Sequence, residues 1–333
     1  MDRIYVQTND AERNEVVAFE RDGEGRLTQL GRFETGGRGS GVPHLASQSS
    51  LALEGNRLLV TNAGSDELSL FRVTSDGMEL AACIASGGSA PTSVAVHGDI
   101  AYVLNNGSPG IAGFSLAADA PAPLDSPVAL AEGADPAQIA FSPDGRMLVV
   151  TERGTNSIST FAVDERGRAK GPETIASSGA TPYGFGFAGD AVVVTEAFGG
   201  ELGAAAASSY SLSGGRLQPL SASVGDTRSE VCWAAVSKDG RFVFVTNFGD
   251  GTISSYAIGD DGSLELADAV AASTRLGEKG VRDEAITGDG RFLYALDADA
   301  RRIFGWSVGE DGSLSPVGDA DGLPATVAGL AAS

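Results

Sequence analysis

Two glutamates, Glu152 and Glu196, close segments that are otherwise near-copies of each other, LVVTERG (148–154) and VVVTEAFG (192–199). Glutamate, unlike asparagine or glycine, has no turn preference of its own. Carboxylates at matched positions 44 residues apart therefore read as placed for chemistry. Carboxyls gathered in a partly desolvated channel have raised pKa values, which lets them act as general base or acid near neutral pH. His44, in the glycine-rich stretch GGRGSGVPHL (36–45), supplies an imidazole for proton transfer. Arg38 in the same stretch and Arg282 in VRDEAI supply guanidinium groups suited to a carboxylate or phosphate. Gln48, Gln138, Tyr183 and Glu284 add hydrogen-bonding groups, and Trp233 an apolar wall. These ten residues are scattered from position 38 to position 284, so only a fold that returns the chain repeatedly to one place can assemble them.

The sequence contains such a device. IYVQTN, LLVTNAG, AYVLNNG, LVVTERG, VVVTEAFG, VFVTNFG and LYALDAD are one strand written seven times. Aligned on Asn9, Asn62, Asn105, Glu152, Glu196, Asn247 and Asp297, the copies lie 53, 43, 47, 44, 51 and 50 residues apart. A period of that size means stacked or radial repeats. Most copies follow a tight glycine or aspartate turn, such as PDGR (143–146), KDGR (238–241) and GDGR (288–291), and precede a strand ending in an aromatic, such as LSLF, ISTF and ISSY. A further turn and a weaker outer strand complete each unit. No stretch carries a convincing 3.6-residue apolar period, so the fold class is all-β: four short antiparallel strands per unit are the blade of a β-propeller.

Seven second strands stand against only six internal inner strands, and the chain ends in LPATVAGLAAS (323–333). The expectation is a seven-bladed β-propeller closed by the C-terminal strand, about Val327 to Ala332, pairing with Ile4 to Thr8 in the N-terminal blade. A single domain, 1–333, then divides into blades at approximately 1–45 plus 323–333, 46–89, 90–134, 135–180, 181–228, 229–275 and 276–322. The heads of the inner strands and the loops after the second strands share one rim, where a site would gather. His97, in the turn VHGD, belongs to the opposite face, and the long connection EAFGGELGAAAASSY (196–210) reads either as a lid over the rim or as a tolerated insertion.

The segments VPHLASQSSLAL, DPAQIAFSPDGRMLVVTERGTNSISTFAV and VSKDGRFVFVTNFGDGTISSYAI resemble the seven-bladed propeller lactonase family, which includes propeller-type 6-phosphogluconolactonases and carboxymuconate-lactonizing cyclases. The resemblance spans the whole chain. It implies an enzyme that opens or closes a cyclic ester of a small organic acid at the mouth of the central channel. On that reading Glu152 or Glu196 activates water or a carboxylate, and His44 shuttles the proton. Arg282 or Arg38 holds the carboxylate of an anionic substrate and stabilises the oxyanion. The alternative is a non-catalytic propeller that binds a small ligand or a protein partner at the same rim, which the presence of only two histidines favours.

Composition bounds the rest. With 23 basic against 44 acidic residues the formal charge is −21. That field repels phosphate backbones and anionic lipids, so neither nucleic acid nor membrane is an expected partner. The first twenty residues show neither the basic nor the apolar region of a secretory signal, and the expectation is a cytoplasmic protein. Cys83 and Cys232, with no CxxC pairing, read as reduced, separate and mostly packing residues. No metal-ligand spacing or cofactor fingerprint occurs in a suitable setting, so no metal or cofactor is expected.

Overall fold

The computed structural model describes residues 2–43 and 45–333. Each of the seven repeated segments is a strand: Arg3–Gln7, Arg57–Asn62, Ile100–Asn105, Met147–Glu152, Ala191–Glu196, Phe242–Asn247 and Phe292–Asp297. Each is the second strand of its own antiparallel sheet, and the seven sheets are the blades of a seven-bladed propeller. Branched and aromatic residues dominate these strands because both their faces are covered by neighbouring blades. Val149 and Ile158 of blade 4, for example, pack on Phe185, Val192, Val194 and Tyr210 of blade 5. Blade 7 meets blade 1 in the same way, Tyr294 and Ile303 against Val6 and Phe19.

The ring closes as the strand count requires. Ala328–Ala332 is the inner strand of blade 1, with Ile4 opposite Ala332 and Gln7 opposite Ala328. Ser333 adds a side-chain clasp, its Oγ accepting the Arg3 amide at 2.7 Å. Blade 3 departs from the four-strand pattern. Its outer strand is broken into Ala122–Pro123 and Val128–Ala129, both paired with Gly110–Ser115. Pro121, Pro123 and Pro127 explain the break, since each lacks the amide that a continuous ladder needs.

The inner strands of blades 5, 6 and 7 run Pro182–Ala188, Val231–Val236 and Val281–Ile286. At their heads the ladder skips two residues, between Pro182 and Phe185, Val231 and Ala234, and Val281 and Glu284. Blades 3 and 4 skip only one, after Pro91 and Pro136. Bulges of this kind re-aim side chains at the rims of sheets. The residue just before the strand is left-handed in blades 3 to 6: φ is +48° at Ala90, +44° at Asp135, +58° at Thr181 and +55° at Glu230.

Candidate functional site

The polar residue that ends each second strand is turned into its own blade. Glu152 is 1% exposed, its Oε1 accepting Ser159 Oγ at 2.5 Å and its Oε2 accepting Thr155 Oγ1 at 2.9 Å. Glu196 is fully buried and accepts the Gly179 amide at 2.7 Å, Ser208 Oγ at 2.6 Å and Ser223 Oγ at 2.7 Å. Asn62 and Asn247 occupy the same place, bonded to Ser69 and Ser254 at 2.8 Å each. The expectation that the two glutamates face the channel mouth is therefore corrected. The repeat turns this position away from the channel, toward hydroxyls of the third and outer strands, where the residue fastens a blade together.

Residues that do converge come from the bulged heads of blades 5 to 7 and the loops beside them. Tyr183 meets Trp233 edge to face, with ring centroids 4.9 Å apart. Arg153, immediately after Glu152, donates to Tyr183 Oη at 2.9 Å and lies 4.8 Å over its ring. Across the mouth, Arg282 stacks on Phe248 at 4.4 Å, and Lys279 covers the same ring at 5.5 Å while bonding Glu230 Oε1 at 2.7 Å. Cys232 is buried next to Trp233, its Sγ donating to the Glu230 carbonyl at 3.4 Å. Burial pushes its thiol up to about 12, Arg282 and Arg153 pulling it down while Glu230 and Asp283 push it further up. Tyr183 is also raised, by burial first and against the pull of Arg153, and stays a protonated donor.

Beneath these groups lie two acids. Asp283 bonds the Gly329 amide at 2.8 Å through Oδ2, and burial raises its carboxyl to about 7 despite the neighbouring Arg282. Glu284, 4% exposed, holds a register position that the other inner strands fill with Leu51, Val94, Ile139, Phe185, Ala234 and Leu330. Burial and then Asp283 push it well above the carboxylate range. The Ala235 backbone offsets this only in part and does not reach hydrogen-bond geometry with either oxygen.

Gln48 and Gln138 serve as struts. Gln48 spans the channel from the lead-in to blade 2, exchanging two bonds of 3.0 and 3.2 Å with the backbone of Ala234 in blade 6. Its own amide and Ser47 Oγ both reach the Ala137 carbonyl of blade 4. Gln138 grips the Phe185 backbone of blade 5 in the same two-bond fashion, at 2.6 and 3.1 Å. Residues 47–48 therefore floor the mouth, and a separate cavity of about 370 Å³ opens on the other face among Leu53, Val96, Phe141 and His97. His97 is exposed there and packs on Phe141. Arg38 is exposed on the rim near blade 2, its amide bonded to Ser65 Oγ at 2.8 Å, away from the bulged heads. His44 lies outside the described residues. The long connection of blade 5 makes a short 3-10 turn at Phe198–Gly200 and docks on blade 6, where Gly203 donates to Ser229 Oγ at 3.0 Å. Among the described residues no three potential metal ligands cluster, and both cysteines are free.

Arg153, Phe248 and Asp299 were not singled out by the sequence as binding residues. The signal was their phase, because Arg153 and Phe248 are the large residues directly after the second strand, where blades 2, 5 and 7 carry Ala63, Ala197 and Ala298.

The family described as lactonase, seven-bladed β-propeller, matches residues 43–202 and 193–326. The chain belongs to this family. Membership implies lactonase-like activity on a small-molecule substrate, a coarse statement that names no particular lactone. Among solved structures, a protein from Lactobacillus plantarum superposes with a TM-score of 0.77 at 18% identity over 100% of this chain and 99% of that one. A candidate 6-phosphogluconolactonase of Bacteroides fragilis gives 0.75 at 16% identity over 100% and 98%. The periplasmic gluconolactonase of Pseudomonas aeruginosa gives 0.74 at 17% identity over 99% and 98%. These likenesses are ones of fold. No curated protein matches the sequence. Among the described residues no helix of this lactonase-family propeller is long and apolar enough to cross a membrane.

Proposed function

We propose that this propeller is a lactonase-type enzyme that opens or closes the cyclic ester of a small organic acid at the mouth framed by blades 4 to 7. The observation that carries the reading is the run of contacts along the heads of blades 4 to 7: Arg153 on Tyr183, Tyr183 on Trp233, Lys279 joining Glu230 to the Phe248 ring, and Arg282 on that same ring. Ring opening needs a polarised carbonyl, a water stripped of a proton, and a face to hold the ring. Guanidinium N–H groups of Arg282 and Arg153 and the Tyr183 hydroxyl stabilise negative charge growing on the carbonyl oxygen. Glu230, 25% exposed in its side chain and steadied by Lys279, takes the proton from the attacking water. The new C–O bond forms as the ring C–O bond breaks, and the alkoxide leaves with that proton. Phe248, partly exposed beside Arg282, supplies the apolar wall, with Trp233 packed behind Tyr183.

The test is proton release over a panel of lactones by wild type, Arg282→Ala and Glu230→Gln. Losses of at least tenfold in kcat for both variants, with unchanged melting, support the roles. A wild type inert on every lactone refutes them. A second reading, a ligand-binding propeller without catalysis, is favoured by the sequence's having two histidines in all, of which His97 sits on the opposite face. Retained ligand binding without turnover is its signature.

A further inference from the structure

Among the described residues, three cations at the mouth each stand beside a carboxylate. Arg153 Nη2 stands 2.6 Å from Asp135, Lys279 Nζ 2.7 Å from Glu230, and Arg282 Nη2 3.7 Å from Asp299. Each of these cations also covers an aromatic ring, Tyr183 or Phe248. The molecule as a whole carries −21. An incoming phosphate or carboxylate would find no surplus positive charge. It would have to displace an aspartate from its arginine or be desolvated beside it, and approach against the field of the whole surface. The rings do not offset this, because Trp233 is fully buried, Tyr183 nearly so, and Tyr183 and Phe248 lie under the cations themselves.

We infer that the mouth selects an uncharged lactone, and that Asp135 and Asp299 are specificity residues that hold Arg153 and Arg282 against anionic ligands. This reverses the anionic substrate expected from the sequence, and it rests on the reading of the mouth as the lactone site. Guanidinium groups so held still donate hydrogen bonds to a neutral carbonyl, but they no longer present net charge. The pairs are reachable: the Asp135 and Asp299 side chains are 51% and 46% exposed, so their replacement disturbs no core.

The test has a kinetic and a calorimetric arm. Wild type is assayed on dihydrocoumarin, glucono-δ-lactone and 6-phosphoglucono-δ-lactone. The expected result is kcat/KM at least about tenfold higher on dihydrocoumarin than on the phosphorylated lactone, a difference near one charge-assisted contact. Calorimetry then titrates phenyl phosphate, a flat ring bearing a dianion, into wild type and Asp135→Asn/Asp299→Asn. The double variant should bind it at least about fivefold more tightly at low salt and lose that gain at high salt. A preference for the phosphorylated lactone, or a double variant with no gain, overturns the inference. Absence of turnover on all three lactones instead refutes the lactonase reading, while the calorimetric arm still decides the charge claim. Should the double variant melt early, Asp299→Asn alone carries the same expectation at reduced size.

Discussion

Replacing Glu196 by alanine separates a structural carboxylate from a catalytic one. In the folded protein its two oxygens accept three close bonds, from the Gly179 amide and from Ser208 and Ser223, all inside blade 5 or its lead-in. Alanine would leave those donors buried, and the hydroxyls of Ser208 and Ser223 could re-pair only in part. At about 1–3 kcal/mol for each buried donor left without a partner, and allowing for that re-pairing, the loss should be about 3–5 kcal/mol. Unfolding 333 residues carries an entropy near 0.7 kcal/mol/K at the midpoint, so Tm should fall by about 4–7 °C. Differential scanning calorimetry reads this directly. Glu196→Gln, which keeps one carbonyl acceptor, should fall by roughly half as much. Turnover measured well below the transition should stay within about twofold of wild type. An alanine variant with unchanged Tm and abolished turnover would refute the reasoning and return Glu196 to the reaction.

Three further outcomes are expected. Gln48→Ala leaves the Ala234 amide and carbonyl unbonded in the channel, so stability should drop by about 1–3 kcal/mol and acrylamide should quench Trp233 more efficiently; equal quenching would deny that residues 47–48 floor the mouth. Asp283 and Asp226, raised by burial to about 7 and about 6 against an ordinary 3.8, bind their protons more tightly folded than unfolded. Their contribution is full below pH 3.8 and is lost as pH climbs through 6 and 7, so Asp283→Asn should flatten the fall of Tm in that window, and an unchanged slope in the variant counts against the assignment. Deleting residues 323–333 should lower Tm and promote association by exposing the edge of Arg3–Gln7; a truncated chain that melts like the full one would show that the clasp does not close the ring.

The blades were legible because each is specified locally. Turns such as KDGR and alternations such as VFVTN act within a dozen residues, and the unmatched final strand was revealed by counting. The site was legible as a rim but not as a constellation. Arg282, Tyr183 and Trp233 were named correctly as residues at the heads of inner strands, yet the direction in which each points depends on two-residue bulges that no local pattern announces. Glu152 and Glu196 were misjudged for a physical reason. Their phase was right, but the face they use is decided by hydroxyls on the next strand. A seven-residue spacing hinted at this, since Asn62, Glu152 and Asn247 each meet a serine at that distance, Ser69, Ser159 and Ser254. In blade 5 the longer loop stretches the spacing to Ser208 and hides the rule.

The seam between Ile4 and Ala332 also sets a timetable for biosynthesis. Arg3–Gln7 carries Ile4, Tyr5 and Val6 and is made before the six other blades, whereas its inner partner, Ala328–Ala332, is made after them. At about 5–20 residues per second the nascent protein spends tens of seconds with an unpaired apolar edge and six blades waiting for the seventh to be completed. The edge stays open until Ala328–Ala332 emerges, so termination anywhere before that strand yields a product with a reactive edge and no ring.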